Sequence, residues 1–222
     1  MLFGRKALGA VAAAVMWAFA SPASLASQLG AQSINFVGES ASAEARQVAH
    51  WIIESRDNRG RPFAIVDKKD AKVYVFTAEG RVLGAAAALL GLARGDDSAD
   101  GIGERKLSQI PPAERITPAG RFESEPGRNL HGEDVVWVDY DSGFAIHRLR
   151  PANSNERRPE RLASQAPNDH RISSGCVVVP VAFYDSVISP LLGKARGVVY
   201  VLPETRPVHE VFGIGRKKLA SH

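Results

Sequence analysis

FAIVDKKDAKVYVF, residues 63–76, marks a change of period in the chain. Just before it, ASAEARQVAHWIIESR (41–56) sets Ala41, Ala45, Val48 and Ile52 at helical spacing, with Glu44 in the first turn, and reads as a helix. Within it, two short runs rich in β-branched and aromatic residues, Phe63–Val66 and Val73–Phe76, flank a polar turn at Asp67–Asp70. That pattern predicts a β-hairpin. Strand character returns at DVVWVDY (134–140), GFAIHRL (143–149), the valines after Cys176 and GVVYVLP (197–203). A second helix is expected over VAFYDSVISPLLG (181–193). The chain therefore reads as mostly β, with one helix before the main sheet and one after it. The Ala/Leu-rich stretch 83–94 fits neither period. Residues 95–127, rich in Gly, Pro and charge, read as loop.

The 222 residues suit one domain with a small appendage. Net charge is +4, from 28 basic and 24 acidic residues. With no basic stripe interleaved with aromatics, nucleic acid is not an expected partner. The N-terminus carries Arg5 and Lys6, an uncharged apolar run of 14 residues (7–20), and then the small-residue stretch SPASLAS. These are the three regions of a secretory signal peptide, with cleavage expected after Ala26. The run falls short of the roughly 20 residues that span a bilayer. A periplasmic or secreted protein follows, with no stable membrane span after cleavage.

Export raises the interest of the only cysteine, Cys176, in NDHRISSGCVVVP (168–180). It cannot form an internal disulfide, so it is either a buried inert thiol or a used one. A glycine directly before a nucleophile allows close backbone approach, and successive N–H groups in such a turn can converge on an oxyanion. A thiol also needs a base. His147, ending a strand beside apolar FAI, leads the candidates, with His131 and His170 next. His50, His209 and the terminal His222 rank lower. No HxxxH or CxxC spacing suggests a metal, and no cofactor is expected.

These residues resemble the L,D-transpeptidase catalytic domain family (YkuD-like). FAIHR matches the family's strand ending in His. SSGCVVV matches its Ser/Thr-His-Gly-Cys-hydrophobic-Arg signature, with Ser173, Gly175 and Cys176 in register. ITPAGRF (116–122) resembles its Thr-Pro-x-Gly-x-Phe segment, residues 63–76 its opening hairpin, and PVAFYDSV the helix after the Cys. The match covers about residues 60–203. It departs at Ser174, where many members have His, and at Val178, where many have Arg. His147 and Cys176 are 29 positions apart, a longer spacing than in many members, and the excess is the Arg- and Pro-rich segment 151–171.

The resemblance implies a β-sandwich or barrel-like fold and an exported cysteine acyltransferase acting on peptidoglycan stem peptides. Cys176 would form a thioester, and an amine or water would resolve it. His147 would shuttle the proton, oriented by the Arg148 carbonyl. The N–H groups of Ser174, Gly175 and Cys176 would hold the oxyanion. Ser173, Arg171 and His170 are the expected substrate contacts, with Arg171 or Arg148 supplying the positive charge missing at Val178. The implied organisation is a signal peptide (1–26), an N-terminal extension with a helix (27–59), the catalytic domain (60–203) and a tail (204–222). Segment 151–171 is either a lid over the thiol or a disordered insertion. A non-catalytic relative that binds cell-wall peptide, and an unrelated β-protein with an inert thiol, are the alternatives. Oligomeric state is open.

Overall fold

The computed structural model describes Met1, Ile34, Phe36 and residues 38–215. The expected signal peptide, most of the chain up to Phe36, and His222 lie outside the described residues. The architecture is mostly β. Strands β1 (Phe63–Asp67), β2 (Lys72–Phe76), β3 (Val82–Ala87), β5 (Gly120–Arg128), β6 (Asp134–Asp139), β7 (Phe144–Arg148), β9 (Val177–Val179) and β10 (Gly197–Val201) form one eight-stranded sheet in the order β3-β2-β1-β10-β5-β6-β7-β9. The short β4 (Leu90–Gly91) and β8 (Arg171–Ser173) pair with each other. The two ends of the large sheet meet. Leu89, just past β3, exchanges both backbone hydrogen bonds with Val178 of β9, at 2.8 and 2.9 Å. The sheet thus curls into a nearly closed barrel.

Two apolar cores occupy its two faces. Inside, Ala64, Val66, Val73, Val75, Ile146, Val177 and Val199 pack on Tyr184, Ile188 and Leu192. Those last three belong to or follow helix α3, a run of Val181–Phe183, a π-helical stretch Tyr184–Ile188, and Ser189–Leu191. Outside, Phe63, Ile65, Tyr74, Phe76 and Tyr200 meet Ala45, Val48, Ala49 and Ile52 of α1 (Ala43–Ser55), and also Val208 and Phe212 of α4 (Val208–Phe212). Burial on both faces explains why β1 is apolar from Phe63 to Val66 rather than alternating. Ser42 caps α1: its Oγ accepts from Ala45 N–H at 3.0 Å and donates to Asp67 at 2.6 Å. This ties the helix to the hairpin turn.

Three segments depart from expectation or resolve it. Residues 120–127, the end of the stretch read as loop, belong to the nine-residue strand β5. Its first half pairs with β10 through Ser124, and its second half pairs with β6 from Glu125 onward. Pro126 therefore falls after the β10 pairing has ended, where a missing N–H costs no ladder bond. The stretch 83–94 supplies β3 and β4. Segment 151–171 is ordered: a 3-10 turn Ser154–Glu156, helix α2 (Arg158–Ala163) and a 3-10 turn Pro167–His170 lead into β8. Among the described residues no helix is long and apolar enough to cross a membrane.

Candidate active site

β7 and β9 run parallel, with Ile146 opposite Val177 and His147 opposite Val178. Phe144, Ile146, Val177 and Val179 enter the inner core. Strand alternation then turns Ala145, His147, Cys176 and Val178 the other way. These four line one cleft of about 490 Å3, together with Ser173 and Ser174. Cys176 also borders a smaller hollow of about 100 Å3, reached past Ser142, Gly143 and Gly175.

His147 is 9% exposed, and its Nδ1 lies 2.8 Å from the carbonyl of Arg148. A carbonyl can only accept, so Nδ1 carries the proton and Nε2 keeps a free lone pair. Burial lowers the His147 pKa to about 4, reinforced by the Arg150 and Arg158 guanidinium groups and opposed by the hydrogen bond to Arg148. The imidazole is thus neutral at physiological pH, with Nε2 open to accept a proton. The Arg148 side chain lies 4.9 Å over the Tyr184 ring and pairs with Asp185 at 3.2 Å. Its carbonyl orients the base while its charge is spent elsewhere.

The Cys176 thiol points to the Gly143 carbonyl at 3.6 Å, and no hydrogen bond joins it to His147. Burial pushes its pKa up, against the Ala145 backbone and Arg150. The resting thiol is therefore protonated and depends on a base.

The turn before it is braced from three sides. Ser173 Oγ accepts from Gly175 N–H at 3.1 Å and donates to the Cys176 carbonyl at 2.6 Å. Thr117, fully buried, donates to the Gly175 carbonyl at 2.8 Å and accepts from Gly91 N–H at 2.8 Å. Gly175 has φ +136°, and a Cβ there would lie 2.9 Å from the Ile116 carbonyl, so only glycine fits. Ser174 and Cys176 keep their N–H groups out of any turn or loop hydrogen bond. Gly175 does not, because the Ser173 hydroxyl takes its N–H.

The expected substrate contacts divide. Ser173 lines the cleft, beside Ser174 of the expected oxyanion turn. Arg171 does not: it is 8% exposed and bound to both Glu204 oxygens, at 3.1 and 2.7 Å, and to the Lys68 carbonyl. His170 is also buried, with its ring nitrogens 3.2 and 3.1 Å from the Ala88 and Ser164 carbonyls. Sequence proximity to Cys176 misleads here because each side chain is held by partners away from the thiol, His170 from the 3-10 turn Pro167–His170 and Arg171 from the start of β8. His131 does line the cleft, on the turn before β6. So do Pro151, Ala152, Asn153, Glu156 and Arg158 of the 151–171 segment, which forms one wall.

No motif announces the polar cluster that Thr117 joins to this turn. Lys68 Nζ donates to the Gly95 carbonyl (2.5 Å), Asp96 (2.8 Å) and the Thr117 carbonyl (2.9 Å), with Glu204 at 3.8 Å. Asp96 also accepts from the N–H groups of Glu204, Thr205 and Arg206. Burial opposes both charges. For Lys68 it is the larger effect and lowers the pKa, whereas for Asp96 the Lys68 and Thr205 hydrogen bonds outweigh it and hold the carboxyl well below its usual range. Thr117 thus links a buried ion network to the cysteine turn. Thr117→Val keeps the shape but orphans the Gly175 carbonyl and the Gly91 N–H. We expect a loss of about 1–3 kcal/mol in denaturant unfolding and slower alkylation of Cys176, with Thr117→Ser restoring both.

Among the described residues no three His, Cys, Asp or Glu side chains gather as metal ligands. No protein-family model and no curated protein matches the chain. Solved structures do show similarity. An L,D-transpeptidase fragment from Xylanimonas cellulosilytica is 16% identical over 64% of this chain and 60% of its own, with a TM-score of 0.39. The helical cell shape determining protein Pgp2 from Campylobacter jejuni is 16% identical over 66% and 49%, with a TM-score of 0.43. An L,D-transpeptidase from Mycobacterium smegmatis is 17% identical over 64% and 58%, with a TM-score of 0.36. The chain spans between about half and three-fifths of the length of these structures.

Proposed function

We propose that this protein is an exported cysteine acyltransferase acting on peptidoglycan stem peptides. The observation that carries this reading is the shared cleft of Cys176 and His147, where the Arg148 carbonyl fixes the imidazole tautomer and leaves Nε2 as the base. The ordered match to L,D-transpeptidase motifs supplies the substrate class. His147 Nε2 takes the thiol proton as Cys176 Sγ attacks the carbonyl of the L-centre preceding a terminal D-residue. The N–H groups of Ser174 and Cys176 are the free donors for the oxyanion. Collapse of the tetrahedral intermediate breaks the amide bond, and His147 returns the proton to the departing amine. A thioester remains. An acceptor amine attacks it, losing a proton to His147, and the thiol is regenerated; water in that place gives L,D-carboxypeptidase activity.

Incubation of the protein, cleaved after Ala26, with a tetrapeptide stem tests this. The expected results are a mass increase on Cys176 equal to the tripeptide acyl group, release of the terminal D-residue, and loss of both in Cys176→Ala. An unmodified thiol together with unchanged peptide overturns the reading. A second reading is a non-catalytic binder of cell-wall peptide. It is favoured by the absence of a hydrogen bond between His147 and the raised-pKa thiol. Saturable peptide binding without release of the D-residue distinguishes it.

A further inference from the structure

The 490 Å3 cleft is large enough for several residues of a peptide, and its chemistry is uneven. Two of its lining residues are large apolar side chains held out in water: Leu130 is 103% exposed and Leu107 is 68% exposed. They come from two separate loops, the β5–β6 turn and the 3-10 turn Leu107–Gln109. A leucine recovers about 1.5–3 kcal/mol when something apolar covers it. Val135, Trp137, Ala145 and Val178 line the same cleft. Val178 stands directly opposite His147 in the β7–β9 register, so the floor beside the base has no charge.

Both arginines of the cleft sit in ion pairs. Arg150 Nε lies 2.7 Å from Glu133, and Arg158 Nε lies 2.5 Å from Glu156. An incoming carboxylate would meet Glu156, which lines the cleft, as well as the arginines. We propose that the acyl donor presents an uncharged, apolar residue to this cleft, with Leu107 and Leu130 closing over it and Val178 beneath it. The proposal rests on Cys176 being the nucleophile and names the residue class it selects.

Two matched alkylators test this: N-chloroacetyl-leucinamide and the α-amide of N-chloroacetyl-glutamic acid, each normalised to its rate with glutathione. Intact mass reads second-order labelling of Cys176. The leucine probe is expected to react at least about tenfold faster, the discrimination one apolar side chain commands in a hydrophobic pocket. The paired substitution Leu107→Ser with Leu130→Ser should bring the ratio below about threefold, and Val178→Lys should favour the glutamate probe. Equal rates, or a preference for glutamate in the unmodified protein, overturn the proposal. If iodoacetamide fails to label Cys176 in the folded protein, the nucleophile reading falls. The apolar preference is then decided by competing N-acetyl-leucinamide and the α-amide of N-acetyl-glutamic acid against Nile red on Cys176→Ser. Stronger displacement by the leucine compound upholds it, and equal or weaker displacement overturns it.

Discussion

His147→Ala is expected to lower stem-peptide turnover by about 10²–10⁴-fold, the range set by losing a positioned general base. The pH profile separates loss of a base from loss of shape. With the His147 pKa lowered to about 4, its basic form is present throughout the neutral range. The rate for the unsubstituted protein should therefore rise along a limb near pH 4 and stay flat from about pH 5 to 8. In His147→Ala the plateau should vanish, and the rate should climb about tenfold per pH unit toward the raised thiol pKa. A limb near 6.5, or a plateau surviving in the variant, would remove His147 from the role of base. The same shift has a stability consequence. The unfolded imidazole binds a proton near pH 6.5 and the folded one only near 4, so stability should fall as pH drops through that window. His147→Gln should flatten that dependence.

Asp96→Ala is expected to cost about 3–5 kcal/mol, the penalty for leaving a buried charge without its partner. Asp96 and Lys68 have fully buried side chains 2.8 Å apart, and with Asp96 gone the nearest carboxylate to the ammonium is Glu204 at 3.8 Å. The loss also frees three backbone N–H groups at Glu204, Thr205 and Arg206. Urea unfolding followed by far-UV circular dichroism should show a lower midpoint with an unchanged slope. A change under about 1 kcal/mol would mean that water reaches this cluster. Such a loss is a large share of the roughly 5–15 kcal/mol that holds a typical domain together.

The hairpin, α1, β6, β7 and the α3 region were legible because each carries its own period: two apolar β-branched runs around a polar turn, or apolar residues at helical spacing. The mostly-β class follows from them. β5 was not legible, since Arg121, Glu123 and Glu125 alternate with only Phe122 and Ser124 on the inner side, and Pro126 argues against a central strand. Its tolerance for proline depends on where one partner strand stops and the next begins, which is tertiary information. At the candidate site, His147 and Cys176 could be paired from motif order, and the structure places both on one cleft wall. Arg171 and His170 could not be excluded from it by sequence, because a short 3-10 turn and a three-residue strand, held by distant partners, decide which way they point. Lys68, Asp96 and Glu204 are 28 and 108 residues apart in order along the chain, and nothing local to any of them announces a buried partner.

The pair of hydrogen bonds between Leu89 and Val178 has a bearing on how a peptide can be held. Many domains capture an extended peptide by adding it as one more strand at an open sheet margin, where main-chain groups do the recognising. At Val178 that margin is already spent: its N–H and C=O both belong to Leu89. A peptide reaching Cys176 cannot extend the sheet there and must lie across it. Recognition then falls to side chains and to the few unspent amides of the turn. Selectivity is written in residue identity, and single substitutions in the cleft should retune it without disturbing the barrel.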